Sequence, residues 1–352
     1  MRVGVVGCGY WGSKHVRVLH AVHGVDDVAV IDANPASRVE LGRVFPSVMS
    51  FAHLEEALPF VDALVIATPA TTHAELATVA IEAGKHVLVE KPLATSTADA
   101  SRLIELADAN DVTLMVGHTF EYNSAVRMLK EIVDSGDLGK IHYMDSARLN
   151  LGLYQSDVDV IWDLAPHDIS IASYVLGAEP TAVQAWGSAH ANDIHLDVAS
   201  IRLEYADQDM SATVRISWLD PLKVRRTTVV GTNKMAVYND MNDSERIKLY
   251  DRGVELDVRE GSTAAPNPPL TYRYGGVVSP YIDFKEPLQV EAEHFVQCCL
   301  EGTTPQSDGR SGLSVVRILE AAHQSIATSS PIELAPIDEM DVDVDLVSQL
   351  IA

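Results

Sequence analysis

Lys91, Asp163 and His167 are the residues of this chain whose types and settings suit proton and hydride chemistry on an alcohol. Lys91 lies in Glu90-Lys91-Pro92, directly after the apolar β-forming run His86–Val89. A placed ammonium there can hydrogen-bond a hydroxyl and stabilise the alkoxide that develops as hydride leaves. Lysine is usually just solvated. This one stands out because the chain has only nine lysines and Pro92 stiffens the turn behind it. The second cluster is Trp162-Asp163-Leu164-Ala165-Pro166-His167-Asp168. Pro166 suits a first helical turn, so His167 is expected to project from a helix start near Pro166, with Asp163 just upstream. A neutral imidazole, with a usual pKa of about 6.5, removes a hydroxyl proton near pH 7, and a nearby carboxylate orients the ring. The same residues also permit a structural reading, with Asp163 or Asp168 capping the helix and His167 on the surface. Spacing alone leaves both open.

A departing hydride needs an acceptor, and the start of the chain offers a place for one. Val3 to Gly12 reads V-G-V-V-G-C-G-Y-W-G, an apolar run emptying into Gly7-x-Gly9-x-x-Gly12 and then a helical stretch, Trp11–Val22. The first glycine permits a tight turn, the second lets a pyrophosphate approach the backbone, and the third brings helix close to strand. Phosphates then rest on the free N–H groups of the helix N-terminus. Asp32 closes the next apolar strand, about 20 residues on. A carboxylate there accepts from ribose hydroxyls and repels a 2′-phosphate, which predicts NAD over NADP. Arg38 lies close enough in sequence to complicate that choice, and Asp32 also reads as a cap for the helix beginning near Pro35.

The elements that position these groups follow from the apolar pattern. Strands are expected at Arg2–Val6, Val28–Asp32, Ala63–Ala67, His86–Val89 and Thr113–Val116, with helices between them such as Thr72–Ala83 and Thr97–Asn110. Short apolar strands alternating with helices predict an α/β fold, a doubly wound parallel sheet over residues 1–120. Ligands of such sheets lie at the carboxyl ends of the strands. This directs the loop residues Gly7, Gly9, Tyr10, Trp11 and Gly12, then Thr68, Pro69 and His73, then Glu90 and Lys91, toward the cofactor.

Residues 121–335 read differently. A helix at Ser124–Ser135, a strand at Ile141–Asn150, a helix at Pro166–Leu176 and several alternating stretches between Thr181 and Tyr238 predict an α+β domain on an open, mostly antiparallel sheet. Gly261–Pro280 looks like a long loop or arm. Helices at Leu288–Leu300 and Gly312–Thr328 are expected to return to the first domain, and residues 336–352 form an acidic tail around Asp338–Asp345.

Composition limits the partners. The 352 residues carry a net charge of −24, which disfavours nucleic acid and anionic membranes. No apolar stretch approaches membrane-spanning length, and the first residues read as a core strand in place of a signal peptide. Three cysteines do not suggest a disulfide framework. A cytoplasmic protein is expected. His15, His20 and His23 fall on the first helix with no further ligand set, so no metal site is expected.

The Gly7-x-Gly9-x-x-Gly12 start, the Glu90-Lys91-Pro92 turn and the Asp163-x-x-x-His167 pair resemble the glucose–fructose oxidoreductase/inositol dehydrogenase (Gfo/Idh/MocA) family, over nearly the whole chain. The resemblance implies a Rossmann domain plus an α+β domain, with Lys91, Asp163 and His167 as the catalytic set and Asp163 holding the histidine. It also implies a dimer or tetramer formed through the open sheet face. The segment Gly117-His118-Thr119-Phe120-Glu121-Tyr122-Asn123 lacks an arginine that many polyol-oxidising relatives carry. The Trp-Asp-Leu-Ala-Pro-His-Asp form resembles a subgroup acting on nucleotide sugars. His118, Tyr122 and Asn123 are candidates for contact with the cofactor or the substrate, or equally for pocket wall, and Trp162 is a further candidate for substrate contact. The expected activity is an NAD-dependent oxidation of a ring secondary alcohol of a sugar, nucleotide sugar or cyclitol. The alternative is a dinucleotide-binding sensor without catalysis.

Overall fold

The computed structural model describes residues 1–155, 157–256 and 270–336. The first half is built from β1 (Arg2–Val6), α1 (Tyr10–Leu19), β2 (Asp27–Ile31), α2 (Pro35–Val44), β3 (Met49–Phe51), α3 (Leu54–Ala57), β4 (Ala63–Ile66), α4 (His73–Glu82), β5 (His86–Glu90), α5 (Thr97–Ala109) and β6 (Leu114–Gly117). Its strands form one parallel sheet in the order β3-β2-β1-β4-β5-β6. Strands buried on both faces account for the unbroken valine, isoleucine and leucine runs. β3 is a sixth strand that the apolar pattern does not announce, because its three residues, Met-Ser-Phe, are only partly buried or exposed.

The second half contains α6 (Ser124–Asp134), β7 (Ile141–Leu151), α7 (Val160–Leu176), β8 (Ala182–Ser188), β9 (Val198–Tyr205), β10 (Met210–Ser217), β11 (Leu219–Gly231), β12 (Met235–Asn239), β13 (Ile247–Leu256), β14 (Leu270–Val278), α8 (Pro287–Glu301), α9 (Gly309–Thr328) and β15 (Ile332–Glu333). Nine strands make a second sheet, ordered β14-β13-β12-β11-β7-β10-β9-β8-β15, antiparallel except for the β10–β7 pair. One face is covered by α6, α7 and α9, and its core holds Met144, Val214, Ile201, Val229 and Trp218 against Ile161, Ile169 and Ala172 of α7. α8 places Leu288, Ala292, Phe295 and Val296 among Val16, Val18 and Leu19 of α1. α9 joins both cores, with Leu313 and Val316 in the first and Val315, Ile318 and Leu319 in the second.

Two expectations are corrected. α7 begins at Val160, not near Pro166, because the Asp159 carboxylate caps it by accepting from the N–H groups of Ile161 (3.0 Å) and Trp162 (3.3 Å). Pro166 therefore lies inside the helix, where it withholds a donor from the Trp162 carbonyl one turn back. Of the expected arm Gly261–Pro280, residues Leu270–Val278 form the edge strand β14, paired to β13. The rest of that arm before residue 270, and the segment Asp338–Asp345, lie outside the described residues. No helix among the described residues is long and apolar enough to cross a membrane.

Candidate active site

The glycine loop has the shape its spacing demands. Gly7 adopts φ +85°, a left-handed conformation that suits glycine. A Cβ on Gly12 would stand 1.8 Å from the Gly7 carbonyl oxygen, so the turn closes only with glycine there. A Cβ on Gly9 would meet no atom within 4 Å. The space beside Gly9, at the N-terminus of α1, is open for a phosphate to approach the backbone. Asp32 faces this loop: its carboxylate accepts from Cys8 N–H (2.7 Å) and Asn34 N–H (2.8 Å). The Arg38 guanidinium donates to the Asp32 carbonyl. Tyr10 and Trp11, the first residues of α1, are exposed and meet edge to face. The donor set and the open cradle fit a dinucleotide.

Two further strand ends complete the edge. Thr68 and Pro69 follow β4, and with Lys91, Trp11, Trp162 and Asp163 they line a cleft. His73 is not presented to that cleft. Its ring is buried between the Pro92 and Thr68 carbonyls, at 2.8 and 2.9 Å, so it pins the two loops together. Glu90, at the end of β5, meets the His15 ring of α1 (2.7 Å) and accepts from Lys91 N–H (3.3 Å). Burial works to raise the Glu90 carboxyl, but its His15 hydrogen bond and neighbouring positive charges hold it below the usual range. The peptide between Lys91 and Pro92 is cis.

Lys91 extends toward α7. Its ammonium donates to the Asp163 carbonyl (2.7 Å) and to Asp163 Oδ1 (3.2 Å), while Trp218 Nε1 donates to Oδ2 (3.0 Å). The Asp163 carboxylate thus serves Lys91 and Trp218. No hydrogen bond joins Asp163 to His167, although a spacing of four puts them on one face of α7: the Asp163 carboxylate is taken up by Lys91 and Trp218. His167 lines a cavity of about 500 Å³, with Lys91, Asn123, Phe120 and Arg148 among its neighbours in the wall. Its Nδ1 is buried without a partner, and its ring meets Phe120 edge-on at 5.1 Å. Burial, then the charges of Lys91, Arg148 and Arg225, push its pKa well below the ordinary value. Lys91 and His167 open onto the same cavity, which also reaches Trp11 and Lys14 of α1.

The remaining candidates separate. Asn123 is in the cavity wall, where its side chain caps α6 by accepting from Ala125 N–H (2.9 Å). Trp162 stands in the cleft beside Thr68 and stacks on His323. Tyr122 is core, its hydroxyl 2.9 Å from Ser307 Oγ. His118 is buried with both ring nitrogens unpartnered, and burial lowers its pKa to about 4. The sequence reading missed Arg148, Lys223, Arg225 and Arg246 of the cavity wall. Nothing local marks them, since only the pairing of β7 with β11 brings Arg148 beside Arg225. Among the described residues no group of three or more His, Cys, Asp or Glu side chains is placed to hold a metal ion.

A parallel doubly wound sheet with this glycine loop, joined to an open sheet that supplies one wall of the cavity, defines a two-domain nucleotide-dependent oxidoreductase. Residues 1–118 match the model of an oxidoreductase family with an NAD-binding Rossmann fold, and residues 126–237 match the GFO/IDH/MocA C-terminal domain. The chain belongs to this family. It is 31% identical to the UDP-N-acetylglucosamine 3-dehydrogenase of Acidithiobacillus ferrooxidans, over 72% of this chain and 78% of that one. It is 25% identical to the myo-inositol 2-dehydrogenase of Thermotoga maritima, over 96% and 99%. Among solved structures, GenD2 from gentamicin A biosynthesis, in complex with NAD, superposes with a TM-score of 0.79 at 26% identity, covering 96% of this chain and 97% of that one.

Proposed function

We propose that the protein oxidises a ring secondary alcohol of a sugar, nucleotide sugar or cyclitol, with His167 as base and Lys91 as the polarising cation. The observation that carries this reading is convergence: the Lys91 ammonium, the His167 ring and the start of α1 open onto one cavity. A nicotinamide dinucleotide, held by Gly7–Gly12, Asp32, Thr68 and Pro69, supplies the hydride acceptor when bound. His167, kept neutral by burial and neighbouring cations, takes the hydroxyl proton. Lys91, steadied by Asp163, donates to the oxygen that loses it. A sensor that only binds dinucleotide has no use for the Lys91–Asp163–Trp218 chain.

NAD is the proposed cofactor. The Asp32 carboxylate, fixed by two backbone N–H groups, stands where a 2′-phosphate would be repelled, and Arg38 is turned onto the Asp32 carbonyl. The face of the second sheet opposite α7 carries exposed Tyr143 and Trp186, which supports a homo-oligomer formed there. Light scattering that finds only monomer at micromolar concentration would exclude it. Three free cysteines fit a reducing, cytoplasmic setting.

The test is a spectrophotometric screen with NAD and NADP against free sugars, cyclitols and nucleotide sugars. Turnover with NAD is expected, falling about 100-fold or more in both Lys91→Ala and His167→Ala. Wild-type turnover by either variant sinks the residue assignment. Tight NAD binding without turnover across the panel sinks the dehydrogenase reading.

A further inference from the structure

The pairing of β7 with β11 sets Arg225 directly opposite Arg148. Like charges across neighbouring strands repel, so a purely structural sheet gains nothing from this pair. Both guanidiniums lie over the Phe120 ring, at 4.3 and 5.9 Å from its centroid, and Phe120 in turn meets His167. Each arginine is held by one carboxylate. Arg148 Nε donates to the buried Asp168, and Arg225 Nη1 donates to Asp240 (3.2 Å). The other Asp240 oxygen accepts from Arg246 (3.1 Å), which fixes a second guanidinium beside the first. Among the described residues the guanidiniums of Arg148 and Arg225 make no further hydrogen bond, so most of their side-chain N–H groups remain available. Lys223, in the same wall, has no ion-pair partner among the described residues.

Lys14 and Arg17 belong to a different part of the cavity. They also line the cleft beside Gly9 and Tyr10, and Arg17 is engaged by Glu286. Without them, the wall contributed by the second domain sets Arg148, Lys223, Arg225 and Arg246 beside two lining acids, Asp240 and the Glu286 that engages Arg17, while Asp168 and Asp243 hold Arg148 and Arg246 from behind. This happens in a chain with 50 acidic and 26 basic residues. Oriented guanidinium forks match the paired oxygens of a carboxylate or phosphate.

We propose that the substrate carries an anionic group, a carboxylate or a phosphate, which seats between Arg148, Arg225 and Lys223 while its alcohol lies at Lys91 and His167. The proposal rests on the dehydrogenase reading and narrows its substrate class. A bound anion also offsets the field of Arg148 and Arg225 at His167, so the base strengthens only when the substrate is in place.

The test uses the full chain saturated with NADH, which fills the pyrophosphate site, in low-salt buffer. Inorganic phosphate, D-glucuronate, D-glucose 6-phosphate and D-glucose are titrated by calorimetry into wild type, Lys223→Met and Arg225→Gln. In Arg225→Gln, Arg246 still pairs with Asp240, and Lys223 is exposed, so neither variant threatens the fold. At least one anionic probe is expected to bind about tenfold or more tightly than glucose. Its affinity should fall about tenfold in Arg225→Gln, less in Lys223→Met, and weaken with added salt. Preference between glucuronate and the phosphates distinguishes the two sources of charge. Equal binding of glucose, or no probe binding wild type better than Arg225→Gln, overturns the proposal. A neutral sugar or cyclitol with a higher kcat/KM than its anionic counterparts overturns it too, and leaves the dehydrogenase reading standing. Anion binding with no turnover on any substrate does the reverse.

Discussion

Lys91 and Asp163 are joined twice, with one ammonium held by the main-chain carbonyl and the carboxylate of the same residue. The carboxylate is itself steadied by the Trp218 indole N–H. On the proposed mechanism Asp163 is therefore a positioning residue for Lys91. Asp163→Asn keeps the shape but removes the charge. It is expected to lower kcat about 10- to 100-fold with KM little changed, since the misplaced ammonium acts at the alkoxide and not in ground-state binding. Trp218→Phe should show the same split more weakly. A wild-type kcat for Asp163→Asn would mean that Lys91 needs no guide.

The pH profile provides a separate check on His167. Its pKa is depressed by burial first and by Lys91, Arg148 and Arg225 next. A base with a lowered pKa is neutral, and able to accept a proton, throughout the range above that value. As pH falls, kcat/KM should hold through the ordinary histidine value of about 6.5 and decline only below it. Stability follows the same sign. His118, lowered to about 4, and His73, also lowered by burial, are neutral in the folded protein and take up protons when it unfolds. Stability present above about pH 6.5 is therefore lost as pH drops toward 4. An acid limb in kcat/KM at or above pH 6.5 would place the base elsewhere.

Much of this site is legible in the sequence because its parts are local. The glycine loop, Asp32, the Glu90-Lys91-Pro92 turn and the parallel strands each follow from a short run of residues. What eludes a sequence reading depends on partners far along the chain. Asp163 looks like a companion of His167 because they are four residues apart, yet its partners are Lys91 and Trp218, 72 and 55 residues away. The start of α7 is misplaced because Pro166 is a stronger local signal than the Asp159 cap. Arg148 and Arg225 are ordinary strand residues until the β7–β11 register sets them face to face. His73 and Tyr122 sit at promising positions in sequence, but burial commits them to holding loops and core.

The glycine loop separates binding from folding, and two alanine substitutions can read that separation. At Gly12 a Cβ would lie 1.8 Å from the Gly7 carbonyl oxygen, a main-chain atom that can retreat only by moving the whole turn. Gly12→Ala is expected to cost about 2–4 kcal/mol of stability and to abolish dinucleotide binding with it. At Gly9 the backbone has φ −73°, open to any residue, and a Cβ meets no protein atom within 4 Å. Gly9→Ala should unfold within about 0.5 kcal/mol of wild type. Its methyl group instead occupies the space through which a pyrophosphate reaches the backbone, so the Kd for NADH should rise about tenfold or more. Thermal melts and fluorescence titrations of both variants make the comparison. Equal NADH affinity in Gly9→Ala and wild type would move the phosphates away from this loop.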